Sequence, residues 1–287
     1  MRSSRSIVDD ESTDDTPRAI DELRSRDARI RSIRRPNGGP GLARESGRLA
    51  AEGEFLQYLD SDDLLLPRKF ELQVAALRAH PEADIAYGIV QYRDAQGRAI
   101  VCDWKPANQN VTSIFPSFLI ARWWETVSPL FRSSVTDAAG PWTSLRLEED
   151  WEYDARIGSL GVKLVFVDAP VGEHRDHPEE RLSRGAGSDP RRLRDRAEAH
   201  VRIAEHAHRA GVDPRTHEFQ QFARELFHLA RQCGAAGLTN ESQRLLAAAR
   251  AIGDRKDMQL YALLARIVGW RLAGRAAAFA DRMRSSP

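Results

Sequence analysis

The sequence of 287 residues has little cysteine and no long apolar run. Its two cysteines, Cys102 and Cys233, stand far apart, so they predict neither a disulfide framework nor a metal-binding pair. A reducing, cytoplasmic compartment is therefore expected. The first residues are basic but lack the apolar core of a signal peptide. No stretch is apolar enough over sufficient length to predict a membrane span.

Net charge is also nearly absent. The chain has 43 Lys and Arg against 42 Asp and Glu, a formal charge of +1. This balance leaves no excess of positive charge for binding nucleic acid, so we expect no nucleic-acid partner. The length allows one large domain or two smaller ones, each with an adequate core.

Acidic residues are concentrated directly after a short apolar run. Phe55–Leu59 is expected to be a buried strand, and Asp60, Asp62 and Asp63 follow it at once. In an open α/β sheet, ligands bind at the carboxyl ends of the strands. Closely spaced carboxylates repel one another unless a cation lies between them. The pattern therefore favours a site for Mg²⁺ or Mn²⁺, which take oxygen ligands.

Three other interpretations of this cluster stay open at this stage. Asp and Ser are common in solvated turns without any function. A calcium loop is poorly supported, because Leu64 and Leu65 replace an oxygen ligand and the required glycine. An aspartyl-phosphate enzyme would need a nucleophilic aspartate with downstream partners, and no signature singles one out.

The N-terminal region reads as half of a βαβ unit followed by a glycine-rich loop. A strand at 6–8 enters an acidic loop, and Thr16 with Pro17 starts a helix. After a short strand at 29–33, the glycine-rich loop 35–41 opens a helix over 42–52. Such a loop can present backbone N–H groups to a phosphate, and Arg44 adds a cation nearby. Ordinary tight turns are the alternative.

The middle of the chain continues the alternation of strands and helices. A helix to about residue 79, strands at 85–90, 99–102 and 162–167, and a hairpin turn at 94–97 are predicted. The irregular aromatic stretch 104–124 is typical of a loop over a pocket, although core packing of Trp123 and Trp124 is favoured.

A second acidic cluster, Glu148–Glu152, opens a predicted helix that ends at Gly158. Acids at a helix N-terminus are stabilised by the helix dipole and need no function. After the last predicted strand, a loop at 174–178 carries two histidines and Arg175.

The character of the sequence changes near Asp189, beyond which only helices are predicted. One helical pair resembles a tetratricopeptide-like hairpin, which alone cannot form a solenoid. The final helix, about 257–283, is apolar and basic. Such a helix can lie on an anionic membrane surface. Docking on the rest of the protein, or on a second subunit in a homodimer, is the favoured alternative.

Taken together, these motifs resemble glycosyltransferase family 2, with the GT-A fold. The resemblance covers about residues 6–185 and rests on five stretches in order, Ile7–Thr16, Asn37–Arg44, Gly53–Asp63, Ser128–Arg132 and Glu149–Glu152. It implies an α/β fold with a Rossmann-like, mostly parallel sheet over residues 1–188, followed by an all-α region over 189–287.

The resemblance also implies which residues bind the donor, a nucleotide diphosphate sugar. Asp9 or Asp10 would bind the base, and Arg44 would lie along the nucleotide. Arg175 and His177 would help to hold the pyrophosphate.

Metal and catalytic roles follow from the same resemblance. Asp60 and Asp62 would form a DxD motif, in which Asp62 binds Mn²⁺ or Mg²⁺ and Asp60 contacts the ribose or the metal. The metal would neutralise charge on the leaving diphosphate. Asp150, with Glu149 as second choice, would be the general base.

The sequence departs from the family pattern at three places. Glu11 and Glu45 replace residues that are usually glycine and asparagine, and both changes are tolerable. The third departure concerns the first strand of the fold, because Met1 stands where the second strand should begin. We expect a chain that lacks an interior strand to be poorly stable or weakly active.

The sequence thus predicts an inverting, metal-dependent glycosyltransferase acting on a glycan, lipid-linked or surface-polymer acceptor, in the cytoplasm or at the inner face of the membrane. A non-catalytic nucleotide- or glycan-binding protein is the alternative, and a scaffold acting through its helical tail is a third.

Overall fold

The computed structural model describes residues 4–100, 110–176 and 189–285, which divide into two compact units. The first unit runs to Ile114 and includes Arg122–Tyr153 and the segment that begins at Leu160. The second contains Phe115–Ala121, Asp154–Ser159 and the C-terminal helices.

The first unit contains all strands of the described chain. These are β1 (Arg5–Asp9), β2 (Ile30–Arg34), β3 (Phe55–Leu56), β4 (Leu64–Leu65), β5 (Ile85–Arg93), β6 (Ala99–Ile100), β7 (Leu130–Arg132) and β8 (Leu164–Arg175). Its helices are α1 (Thr16–Arg26), α2 (Pro40–Leu49), α3 (Lys69–Ala79), α4 (Ser133–Ala139) and the start of α5 (Glu149–Gly158). Proline occupies the first turn of α1 and of α2, where its missing N–H costs nothing.

The strands form two sheets. β1 and β2 pair in parallel, and a six-stranded sheet has the order β3-β7-β5-β8-β4, with β6 paired to β5. The long β5–β8 pairing is parallel, whereas the two-residue pairings are antiparallel. The fold is therefore α/β with a mixed sheet. Among the described residues, β1 pairs only with β2 and β3 only with β7.

The core of the larger sheet is apolar with a buried polar centre. Val74 and Leu77 of α3 pack with Ala86 of β5. Beside them, the carbonyl oxygen of Ser128 accepts hydrogen bonds from Lys69 Nζ and from Gln73 Nε2, each at 2.8 Å. Burial lowers the pKa of Lys69 well below its ordinary value.

Three details of the first unit differ from the sequence prediction. The strand after Gly53 covers only two residues, and β4 was not predicted. The prediction that His174 and Arg175 lie in a loop is wrong, because β8 continues through both. Trp123 and Trp124 are fully buried, which confirms core packing for this pair.

The C-terminal helices are α6 (Pro190–Arg209), α7 (His217–Ala235), α8 (Thr239–Ile252), α9 (Lys256–Val268) and α10 (Trp270–Ser285). The prediction of one helix over 257–283 is wrong, since Gly269 has a φ of 85° and separates α9 from α10. A Cβ on Gly274 would lie 2.2 Å from the backbone nitrogen of Ala235, so α10 crosses α7 in close backbone contact. None of the described helices combines the length and apolarity needed to span a membrane.

Candidate functional site

The first acidic turn is joined to the glycine-rich loop. The backbone N–H groups of Gly38 and Gly39 donate to the Asp10 carboxylate, Gly39 at 2.8 Å, and Arg35 forms an ion pair with the same carboxylate. The sequence left open whether this loop presents its backbone N–H groups to a phosphate or is an ordinary tight turn; in this structure the Gly38 and Gly39 amides bind Asp10. Asp10 therefore fixes the loop that precedes α2.

Asp9 is the last residue of β1 and is buried. Its carboxylate accepts the backbone N–H of Ser12 at 2.8 Å, and Arg34 Nε lies 3.6 Å away. The hydrogen bond from Ser12, reinforced by Arg34, lowers the pKa of Asp9. Asp9 and Asp10 thus lie at the end of one strand with separate partners.

Gly41 brings α2 against the segment that precedes α5. A Cβ at this position would lie 2.3 Å from the carbonyl oxygen of Thr143, so no larger residue fits without a backbone shift. This contact places the second turn of α2 beside Glu149, whose Cγ would lie 3.4 Å from the same Cβ.

Arg44 is the centre of the site. Its Nη2 donates to Asp60 Oδ1 at 2.6 Å and its Nη1 to Glu149 Oε1 at 2.7 Å. One guanidinium therefore joins three motifs that are distant in sequence. Burial opposes the charge on Arg44, but Asp60, Glu149 and Asp150 outweigh that cost and raise its pKa.

An aromatic group holds Arg44 in place. The guanidinium carbon lies 5.0 Å from the ring centroid of Trp142, a cation–π distance. Trp142 stacks on Tyr153 with centroids 3.9 Å apart, and Tyr58 packs edge-on against both. The cation is thus oriented by packing as well as by charge.

Two carboxylates of the second acidic cluster, Glu149 and Asp150, have different surroundings. Glu149 is buried; its burial and the charge of Asp150 raise its pKa, against the influence of Arg44. Asp150 is more exposed, at 29% of its side chain, and its Oδ2 lies 3.0 Å from Arg122 Nη1. Solvent and small molecules can therefore reach Asp150 more readily than Glu149.

The remaining acids lie on the turn between β3 and β4. Asp63 is buried, and its Oδ1 lies 2.8 Å from His174 Nδ1 at the end of β8. Burial raises the pKa of Asp63, and His174 opposes this shift. Asp62 is partly exposed between Asp60 and Asp63.

The turn that carries Asp60 and Asp62 suits a divalent cation that takes its remaining ligands from a substrate. The described residues contain no group of three or more His, Cys, Asp or Glu arranged to enclose a metal. Asp60 and Asp62 nevertheless offer carboxylate oxygens, partly exposed, on one turn. Mg²⁺ commonly binds to one or two carboxylates together with substrate phosphates, so the donor set fits such an ion.

Arg175 is the last residue of β8, with its Nε 3.2 Å from Glu173 Oε1. Its side chain is exposed, and its backbone N–H lies 3.4 Å from Asp63 Oδ1, so the end of β8 adjoins the first acidic cluster. His177 lies outside the described residues. The predicted pyrophosphate role of both residues stays a prediction.

Residues 6–130 match the sequence profile described as Glycosyl transferase family 2. The resemblance to this family that the sequence motifs indicated is therefore confirmed over this part of the chain. Among similar proteins, an uncharacterized glycosyltransferase of Rickettsia felis is 45% identical over 71 residues, 24% of this chain and 11% of that protein. The O-antigen biosynthesis protein RfbC of Myxococcus xanthus is 29% identical over 191 residues, 64% of this chain and 14% of RfbC. The chain thus spans only a small part of these relatives.

Solved structures identify the fold of the chain. TarS 1-349 of S. aureus, in complex with UDP-GlcNAc, is similar with a TM-score of 0.64 and 18% identity, covering 96% of this chain and 83% of that one. At this identity the likeness concerns the fold. The predicted GT-A fold, with a helical C-terminal region, is confirmed.

Several residues of the family 2 site were not predicted from the sequence. Trp142, Arg122, Arg35 and the Asp63–His174 pair all contact predicted site residues or lie next to them. A sequence signal exists for Asp63 in the first acidic cluster, for Arg35 at the start of the glycine-rich loop and for His174 in the segment with two histidines, but none of them was given a role. The others lie far along the chain from their partners, and spacing could not connect them.

Proposed function

We propose that this protein is an inverting glycosyltransferase, which transfers a sugar from a nucleotide diphosphate sugar to a hydroxyl of a glycan, lipid-linked or surface-polymer acceptor. The observation that carries the proposal is the bridge from Arg44 to Asp60 and Glu149. It gathers the predicted nucleotide, metal and base motifs into one cluster. Family membership and the GT-A fold support the same reaction.

In this reaction Asp150 is the general base. It accepts the proton of the acceptor hydroxyl, and that oxygen attacks the anomeric carbon from the face opposite the diphosphate. The bond from the anomeric carbon to the phosphate oxygen breaks, and the nucleoside diphosphate leaves. The greater exposure of Asp150 favours it over Glu149, which holds Arg44.

Mn²⁺ or Mg²⁺ bound at Asp60 and Asp62 would supply positive charge against the diphosphate. Arg44 lies next to Asp60 and so stands where it can bind the nucleotide or its phosphates. Since TarS binds UDP-GlcNAc, UDP-sugars are the first donors to test.

One observation favours the alternative of a non-catalytic nucleotide- or glycan-binding protein. The Asp150 carboxylate pairs with Arg122 at 3.0 Å, so part of its hydrogen-bonding capacity is already taken up.

The Asp150→Asn variant distinguishes the two functions. Thermal shift with UDP, GDP, dTDP and CDP, with and without Mn²⁺, measures nucleotide binding, and release of nucleoside diphosphate measures turnover. We expect Asp150→Asn to lower turnover about 10²-fold or more while the thermal shift persists. The exposed Asp168→Asn serves as control. A nucleotide shift without turnover in the unmutated protein would favour the binding protein, and full turnover in Asp150→Asn would exclude Asp150 as base.

A further inference from the structure

Helix α9 is apolar on two faces, and its own unit covers only one of them. Met258, Tyr261 and Ala265 are buried, and α10 packs on α7 and α9 beside them. The other face presents apolar side chains at the helical spacing i, i+3, i+4 and i+7, and all four are exposed: Leu260, Leu263, Leu264 and Ile267. A helix that is apolar on all sides normally has both sides covered.

Helix α10 also exposes apolar side chains. Leu272 and Phe279, seven residues apart and so on one side of the helix, are exposed. The charged residues from 258 to 279 are Arg266, Arg271 and Arg275, and all three are exposed. Over their whole length α9 and α10 contain six Lys and Arg against two acids, Asp257 and Asp281, so these helices are basic in a chain whose net charge is only +1.

The charge pattern decides between a second copy and an anionic partner. In a two-fold dimer the same surface lies on both sides of the interface, so two surfaces with the same excess of positive charge would face each other. An anionic lipid surface instead offers phosphates to the arginines and acyl chains to the leucines. Helices with this combination lie in the membrane interface.

We infer that the face formed by Leu260, Leu263, Leu264, Ile267 and Leu272, with Arg266, Arg271 and Arg275, binds the surface of an anionic phospholipid bilayer. The helices lie in the plane of the interface and do not cross the membrane. The inference rests on the second unit and does not require the proposed transferase activity.

Flotation of the full chain with vesicles tests this inference. We expect binding to vesicles that contain phosphatidylglycerol and little binding to pure phosphatidylcholine. The double variant Leu263→Ser, Ile267→Ser should lower partitioning about tenfold or more, because it removes two inserted side chains. Leu49→Ser is the matched control, since Leu49 is 71% exposed and Ile267 70%.

A charge variant and a mass measurement complete the test. Replacing the three arginines with glutamine should lower binding to anionic vesicles about tenfold or more, with circular dichroism confirming that the helices remain. Equal vesicle binding by the wild type and both variants would overturn the inference. The inference would also be overturned if the wild type failed to bind vesicles but formed a concentration-dependent dimer in light scattering, and if the Leu263→Ser, Ile267→Ser variant did not form that dimer.

Discussion

Replacing Arg44 with glutamine is expected to destabilise the first unit through Glu149. The Glu149 side chain is only 8% exposed, and Arg44 is the cation that contacts it at 2.7 Å. Removing one partner of a buried ion pair costs about 3–5 kcal/mol. Asp60, at 37% exposure, is partly screened by solvent and adds little. We therefore expect a loss of about 3 kcal/mol in the free energy of unfolding at neutral pH.

The loss should depend on pH in a defined direction. Burial and Asp150 raise the pKa of Glu149 above its unfolded value, and removing Arg44 raises it further. A carboxyl group with a raised pKa in the folded state binds its proton more tightly when folded. Stability of Arg44→Gln should therefore recover, relative to the wild type, as the pH falls through the pKa of Glu149.

Urea unfolding followed by tryptophan fluorescence at pH 7 and pH 5 measures this effect, because five of the six tryptophans precede residue 152. The double variant Arg44→Gln, Glu149→Gln is the control. It leaves no buried charge at position 149 and should regain most of the loss. A double variant no more stable than Arg44→Gln, or a loss independent of pH, would refute the reasoning.

Two further predictions concern stability. Lys69→Met should leave stability unchanged or raise it by about 1–2 kcal/mol at pH 7, because Lys69 is fully buried and Ser128 keeps its bond from Gln73. Burial lowers the pKa of Lys69, so the unfolded state binds more protons than the folded state. The free energy of unfolding of the wild type should therefore rise with pH, up to the ordinary pKa of a lysine. If the free energy of unfolding depended on pH in the same way in the wild type and in Lys69→Met, this explanation would be contradicted. Gly274→Ala should destabilise the second unit by about 1–3 kcal/mol, since the added Cβ would meet the backbone of Ala235 and Gly234. Gly47→Ala in α2 is the control: its added Cβ would lie 3.6 Å from Val8 Cγ2, so this variant should be neutral or stabilising. Circular dichroism melts measure both glycine variants, and equal melting temperatures for the two would count against the close crossing of α7 and α10.

The sequence could predict the site only where local pattern carries the information. The apolar run after Gly53, the glycine-rich loop and the second acidic cluster located β3, α2 and α5, because strand ends and helix starts depend on neighbouring residues. The partners of Arg44 could not be derived from spacing, since Glu149 lies 105 positions away. The glycine-rich loop was open to two interpretations, a phosphate site or a tight turn, and the pattern did not reveal that Asp10 binds its amides.

Short elements were missed for a related reason. β4 has two residues, too few for any periodicity, and forms through its pairing with β8. The break at Gly269 was overlooked because the apolar spacing continues on both sides of it. The pairing with β8 determines β4, and the backbone angle at Gly269 determines where α9 ends.

The Arg44 bridge has a practical consequence for handling the protein. Asp60 and Glu149 already contact a resident counter-ion, so the apoprotein does not depend on a bound cation to offset this concentration of carboxylates. Folding and binding of the proposed metal would then be separate events, unlike in small domains that unfold when their metal is removed. Purification in the presence of a chelator should yield intact protein, ready for metal and nucleotide to be added in a chosen order.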